Sequence, residues 1–339
     1  MKILLYQKGE KAFSKSGIGR AMKHQVRALT EAKVDFTTNT QDDYDLVHIN
    51  TVDFGARMFA RKAHRRGKKV VYHAHSTEED FRNSFMFSNQ IAPLFKKHIV
   101  SSYKLGDYIL TPTPYSKRIL EGYGITIPIE DISNGIDLSR FEYRAEKVQA
   151  FREYFKIKEG QPVVVSVGLY FERKGLPDFM EVARKMPEVT FIWFGHTPLA
   201  SVTQKIRDAI KQKPDNVLLP GYIAGDIIEG AYMCADLFFF PSYEETEGIV
   251  VLEALAAHCQ TLVRNIGVYD PWLVDGENCY KGECNEDFIR IVQGCLDQTL
   301  PSTTEAGYQV AKDRSIKAIG EQLRGIYTKV LNQDSNIFK

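Results

Sequence analysis

Short runs of β-branched and aromatic residues alternate with stretches whose apolar side chains recur every three or four positions, and the alternation continues along most of the chain. That pattern predicts an α/β fold with parallel sheets, each strand followed by a crossover helix. Strands are expected at residues 2–6, 46–49, 70–73, 108–112 and 129–132, with helices at 19–31, 56–66 and 116–123 among the elements between them. The scheme restarts with strands at 163–168, 190–194, 217–219, 237–240 and 261–264. Such a restart predicts a second doubly wound unit. The boundary falls between residues 134 and 159, where the turn Asn134-Gly135 gives way to a charged helix over 143–155. A last helix, 315–331, carries Ile316, Ile319, Leu323, Ile326 and Val330 on one face, with Tyr327 beside it, so that face must be buried.

A chain of 339 residues is long for one core and suits two. The expected division is 1–140, 141–314 and a C-terminal helix over 315–339. Net charge is +1, but residues 1–140 hold 22 Lys/Arg against 15 Asp/Glu and residues 141–339 hold 22 against 28. A basic first part thus faces an acidic second part. Near-neutrality overall and the lack of a recognition motif argue against nucleic acid as a partner. The opening Met-Lys-Ile-Leu-Leu-Tyr reads as a buried strand rather than a secretory signal, and no apolar run approaches the roughly 20 residues that span a bilayer. The five cysteines have no zinc spacing, so a reducing, cytoplasmic setting is expected.

Candidate chemistry concentrates in Pro241-Ser-Tyr-Glu-Glu-Thr-Glu-Gly-Ile-Val-Val-Leu-Glu-Ala-Leu-Ala256. A strand stopped by proline leads through Gly248 into an apolar helix. Glu245 would stand at the mouth and Glu253 two turns inside, both able to accept hydrogen bonds from hydroxyls. At the helix start, Gly248, Ile249 and Val250 would offer free N–H groups to a phosphate. The alternative is an acidic N-cap with solvated glutamates. After the first strand of the second unit, Val167-Gly-Leu-Tyr-Phe-Glu-Arg-Lys-Gly175 places Arg173 and Lys174 beside a glycine at a helix entrance, which suits a diphosphate or a plain solvated turn. The loop Lys15-Ser-Gly-Ile-Gly-Arg20 offers Gly17 and Gly19 to an anion, but it lacks the third glycine of a dinucleotide fingerprint.

His73 and His75 close a strand where open α/β sheets place ligands. They read as ligand-facing histidines, as a metal pair or as satisfied core histidines. No third ligand completes a metal set, and Asp43-Tyr44-Asp45 reads as a structural turn. The segment around Phe85, Phe87, Phe95, Lys96 and Lys97 combines large apolar side chains with cations. Behind it lies the basic run Arg57, Arg61, Lys62, Arg65, Arg66, Lys68 and Lys69. An anionic membrane surface would take both, and the alternative is a solvated face over core aromatics.

Taken together, these pieces resemble the retaining glycosyltransferases of family 4, which have the GT-B fold. The resemblance rests on Glu245, Gly248 and Glu253-Ala-Leu-Ala256, on Arg173-Lys174-Gly175, on Ser133-Asn-Gly-Ile-Asp137 and on the Gly17/Gly19 loop, in that family's order along nearly the whole chain. It is nearest to bacterial glycolipid synthases that add a second hexose to glucosyl-diacylglycerol. The resemblance implies two Rossmann-like domains facing a cleft, with the C-terminal helix crossing back to the first. It implies that a UDP-sugar is a substrate, with no cofactor and no metal, that a glycolipid accepts galactose or glucose, and that the enzyme works peripherally on the inner face of the cell membrane. By the same resemblance, Glu245 contacts the donor sugar, Glu253 the ribose, Lys174 the diphosphate and His75 the transferred hexose. Two positions depart from the pattern: Leu169 replaces a usual arginine, whose part Arg173 would take, and Glu247 replaces a usual aromatic. A soluble polysaccharide-directed relative, a non-catalytic nucleotide-sugar binder and a dehydrogenase are the rival classes, the last weakened by the missing glycine.

Overall fold

The computed structural model describes residues 1–7 and 17–332. Within these, the chain divides into two compact units. Among the described residues, the first holds 1–7, 17–78, 91–137 and 314–332, and the second holds 79–90 and 138–313.

The first unit is a six-stranded sheet in the order β2-β1-β3-β4-β5-β6, every pairing parallel. Its strands are β1 (Lys2–Tyr6), β2 (Asp35–Thr37), β3 (Leu46–Ile49), β4 (Lys69–His73), β5 (Tyr108–Thr111) and β6 (Ile129–Asp131). β3, β4 and β5 are buried along nearly all their length, which is why they read as continuous apolar runs. One sheet face is covered by α1 (Gly17–Glu31) and by the last helix, α13 (Ile316–Asn332), whose Ile316, Ile319, Leu323, Ile326 and Val330 enter the same core as Ala28 and Leu29. The expected apolar stripe is therefore buried in this unit. The other face is covered by α2 (Phe54–Arg65) and α4 (Ser88–Tyr103), through Ala56, Ala60, Ala63, Ile99 and Tyr103. α2 starts where Asp53 accepts a hydrogen bond from the Ala56 amide, and α5 (Pro114–Gly122) starts where Thr113 caps it with proline at the first helical turn.

The second unit repeats the plan in the order β12-β11-β10-β7-β8-β9. Its strands are β7 (Val163–Val167), β8 (Thr190–Phe194), β9 (Val217–Gly221), β10 (Leu237–Phe240), β11 (Thr261–Arg264) and β12 (Tyr280–Gly282). The helices are α6 (Ala145–Phe155), α7 (Leu176–Lys185), α8 (Gln204–Lys211), α9 (Asp226–Cys234), α10 (Ile249–Ala256), α11 (Asn285–Leu296) and α12 (Thr304–Asp313), while the four-residue α3 is Glu78–Phe81. Strand order reverses between β7 and β10, and the loops leaving those two strands carry the residues singled out for a nucleotide.

The segment 79–90 departs from the sequence expectation, which put it in the first unit. It groups with the second because Arg173 ion-pairs with Asp80 at 3.0 Å and donates to Ser84 Oγ at 2.9 Å. The Met86 amide also donates to the Ser201 carbonyl.

Candidate active site

Beyond β7 the chain passes Gly168 and Tyr170 and tightens into a short turn, Glu172–Lys174, ending at Gly175. Gly175 has φ of +76°, and a Cβ there would lie 2.3 Å from the Pro241 carbonyl oxygen. Only glycine lets the β7 loop lie flat against the β10 loop. That closeness delivers Lys174 and Arg173 to Glu245: Lys174 Nζ bonds Glu245 Oε1, and Arg173 Nη1 stands 3.8 Å from the same oxygen. Ser242 Oγ donates to it at 2.7 Å, and Arg173 also donates to the Glu244 carbonyl at 3.0 Å.

All three charged groups are largely removed from solvent. Burial pulls the Lys174 ammonium below its ordinary pKa, against the pull of Glu245. Burial would raise Glu245, but Lys174 and Arg173 outweigh it and hold the carboxylate ionised. Two cations thus share one carboxylate. Arg173 also pairs with Asp80, so the cluster sets two cations against two carboxylates away from solvent, and an anion entering here would compete with Glu245 and Asp80 for Lys174 and Arg173.

Gly248, in the left-handed region at φ +90°, precedes α10, so the first-turn amides of Ile249 and Val250 open toward the same loop. Glu253, one turn further, is buried and accepts the Tyr232 hydroxyl at 2.8 Å, which fixes the carboxylate's orientation. Sequence reasoning missed three neighbours. Asp80 comes from a distant segment. Arg264 donates to the Pro241 carbonyl at 3.0 Å and stacks on Tyr243 with 3.8 Å to the ring centroid, bracing the β10 loop. Tyr269 is fully buried beside Gly248, and its hydroxyl has no hydrogen-bond partner among the described residues. None has a local signature, because each acts on chain tens of residues away.

In the first unit, His75 follows β4, is buried, and donates from Nε2 to Asn50 Oδ1 at 2.9 Å. Its ring stacks on His73 with centroids 4.1 Å apart. Burial lowers the pKa of His75 to about 3, so it is uncharged at neutral pH. Gly17 and Gly19 form the first turn of α1 in this unit, whereas the other donor candidates belong to the second; Lys15 and Ser16 lie outside the described residues. Asp45 accepts the Lys2 amide and Asp43 pairs with Lys68, so that turn is structural. No group of three His, Cys, Asp or Glu among the described residues is placed to hold a metal.

The proposed lipid-facing set is divided between the units, Phe85 and Phe87 in the second and Phe95, Lys96 and Lys97 in the first. Phe85 packs edge-to-face on Phe81 in the second unit, and Phe95 is half-buried against the first unit's core. Lys96 pairs with Glu78 at 3.3 Å and sits over the Tyr123 ring. Of the five residues, Phe87 and Lys97 are exposed.

Family models match both units: the one described as Glycosyltransferase Family 4 over residues 16–140, and the one described as Glycosyl transferases group 1 over residues 147–306. The processive diacylglycerol alpha-glucosyltransferase of Acholeplasma laidlawii is 47% identical over 98% of this chain and 99% of its own. The chain belongs to the family 4 glycosyltransferases. As a member it is a hexosyltransferase of the glycolipid-synthesising group. The alpha-galactosylglucosyldiacylglycerol synthase of Streptococcus pneumoniae is 26% identical over 75% of this chain and 70% of its own. The fold is that of the GT-B glycosyltransferases: Anabaena HepE, solved in complex with UDP-glucose, superposes with a TM-score of 0.77 at 16% identity over 97% of this chain and all of that one.

Proposed function

We propose that this glycosyltransferase moves glucose from UDP-glucose to glucosyl-diacylglycerol, with retention at the anomeric carbon. The observation that carries the donor half is the buried Lys174–Glu245–Arg173 cluster beside Gly248 at the strand-order switch. Lys174 and Arg173 would take the diphosphate and stabilise the charge that grows on it as the glycosidic bond breaks. Glu245, released from part of its pairing, would accept hydrogen bonds from hexose hydroxyls, and Glu253 from the ribose. His75 is assigned to a sugar hydroxyl, as an uncharged acceptor. The leaving phosphate oxygen would take the proton of the incoming hydroxyl on the face from which it departs. Two buried cations fill the place of a divalent ion, so turnover should survive EDTA.

The acceptor half draws on the relatives, which are named for diacylglycerol glycolipids. Glucose is favoured over galactose because the 47% relative is named a glucosyltransferase and the 26% relative carries galactose in its name. Docking on an anionic membrane keeps Lys97 and part of the basic run read from the sequence, and takes its apolar side chains from Phe54, Met58, Ile91 and Leu94. On α2, Phe54, Met58, Arg61, Lys62 and Arg65 are exposed at helical spacing, with Phe54 75% exposed. On the neighbouring α4, linked through Arg57 and His98, Ile91, Leu94 and Lys97 are exposed in the same way. Apolar side chains flanked by cations match an acidic lipid surface.

The test offers radiolabelled UDP-glucose and UDP-galactose, with diacylglycerol and glucosyl-diacylglycerol in anionic vesicles, and resolves the lipids by chromatography. Glucose should appear in diglucosyl-diacylglycerol. Label from UDP-galactose alone would overturn the donor, and label only in water-soluble product would favour a soluble acceptor.

A further inference from the structure

Beneath His75 lies a string of buried polar groups that the proposed reaction does not use. His75 Nε2–H donates to Asn50 Oδ1 at 2.9 Å, and Asn50 Nδ2 donates to Gln25 Oε1 at 2.8 Å. Gln25 Nε2 lies 2.8 Å from His48 Nδ1 and 2.9 Å from His48 Nε2, so it can donate to either ring nitrogen, and His48 Nδ1 lies 2.7 Å from the Tyr327 hydroxyl. The five side chains come from α1, from the end of β3, from the loops after β3 and β4, and from α13, all in the first unit. Every one is more than nine-tenths buried.

Each amide in the string donates at one end and accepts at the other. Reversing the link to His75 would therefore require both amides to turn together. His73 stands between the rings of His48 and His75, with centroids 5.4 and 4.1 Å away, and holds their planes without bonding either ring nitrogen of its own. His48 and His75 are both uncharged here, since burial takes each pKa to about 3. What such a string can set is therefore a tautomer rather than a charge.

We propose that Asn50, Gln25, His48 and Tyr327 are positioning residues that fix His75 as its Nε2–H tautomer, leaving Nδ1 as a hydrogen-bond acceptor for a substrate hydroxyl. This rests on the reading that His75 serves the transfer. It gives the last helix of the chain a part in the reaction that its packing alone does not. A histidine whose second nitrogen is fixed by a partner presents one defined face to its ligand, and at metal-binding histidines loss of such a partner costs about 10–100-fold in metal affinity or activity.

The test is nitrogen-15 NMR of histidine-labelled protein, which distinguishes a protonated ring nitrogen from a bare one, combined with kinetics of Asn50→Leu, Tyr327→Phe and His75→Ala. Wild type should show His75 protonated at Nε2 alone at neutral pH. Asn50→Leu should show mixed tautomers at His75, with kcat down about 10-fold or more and KM for the donor unchanged. Tyr327→Phe keeps the buried ring and should give a smaller change in the same direction, so it serves if the Asn50 variant does not fold. A wild-type His75 protonated at Nδ1, or variants whose His75 spectrum matches wild type, would overturn the relay. An active His75→Ala with the expected wild-type spectrum would instead overturn the role of His75 and leave the tautomer assignment standing.

Discussion

Where β3 and β4 end, the first unit buries Asn50, His73 and His75, all uncharged; where β7 and β10 end, the second buries Arg173, Lys174 and Glu245, all ionised. The two sheets have closely related winding and put their functional residues at the same kind of place. The chemistry differs because desolvation is handled differently. In the first unit groups that cannot find an opposite charge stay neutral: Asn50 and His75 are satisfied through amides, while His73 is held by ring stacking with both nitrogens unbonded among the described residues. In the second, cations and a carboxylate pair with one another and keep their charge. On the proposed reading, the neutral site would take hydroxyls and the ionised one the diphosphate.

The comparison can be broken most forcefully by acid. His48 and His75 have folded pKa values near 3 against about 6.5 in an unfolded chain, so between those values the unfolded state binds protons that the folded state refuses. Stability therefore falls as pH drops through that window, by roughly 3 kcal/mol per histidine between pH 6.5 and 4. Glu245 is held below its ordinary pKa, so its contribution is lost at more acid pH. Both tryptophans, Trp193 and Trp272, lie in the second unit. On acidification, loss of helical circular dichroism should begin before tryptophan emission shifts, and the reverse order would contradict this account.

Lys174→Ala comes next. Loss of one preorganised group aimed at developing charge costs about 3 kcal/mol, near 100-fold in kcat/KM. Unchanged kcat/KM in a folded variant would remove Lys174 from the diphosphate site. A smaller effect tests the helix seams. A Cβ on Gly320 of α13 would lie 2.2 Å from the Ala28 carbonyl oxygen of α1, and one on Gly230 of α9 would lie 2.0 Å from the Lys147 carbonyl oxygen of α6. Either alanine should destabilise by about 1–3 kcal/mol, and only Gly230→Ala should lower the midpoint seen by tryptophan fluorescence. Smallest is Tyr232→Phe, which leaves Glu253 without its hydroxyl partner. Calorimetry should show UDP affinity weaker by about 1 kcal/mol, and an affinity equal to wild type would mean that Tyr232 does not orient Glu253 for the nucleotide.

Much of this was legible in the sequence. Strands such as β7 and β8 announced themselves because both faces are buried, and the Glu245–Glu253 spacing across Gly248 marked a loop leading into a helix. β2 and β12 escaped notice because neither Asp35–Thr37 nor Tyr280–Gly282 sits among the spaced isoleucines, Ile127, Ile129 and Ile132, that marked the equally short β6. Phe95 and Lys96 were misread because an aromatic beside a cation looks the same in sequence whether it meets lipid or packs on Tyr123 and the core. The Asn50–Tyr327 string has no local signal at all, since its members are spread over some 300 residues of chain and meet only through the sheet.

The return of α13 to the first unit also sets an order in time. Residues 316–330 complete the core that Ile3, Leu5, Ala28 and Leu29 begin, yet the ribosome makes them after the whole of the second unit. During synthesis the second unit can close while one face of the first sheet still waits for its cover. Newly made chains stopped shortly before residue 316 should thus hold a folded second half and an exposed apolar sheet face, the state in which a chaperone has most to bind.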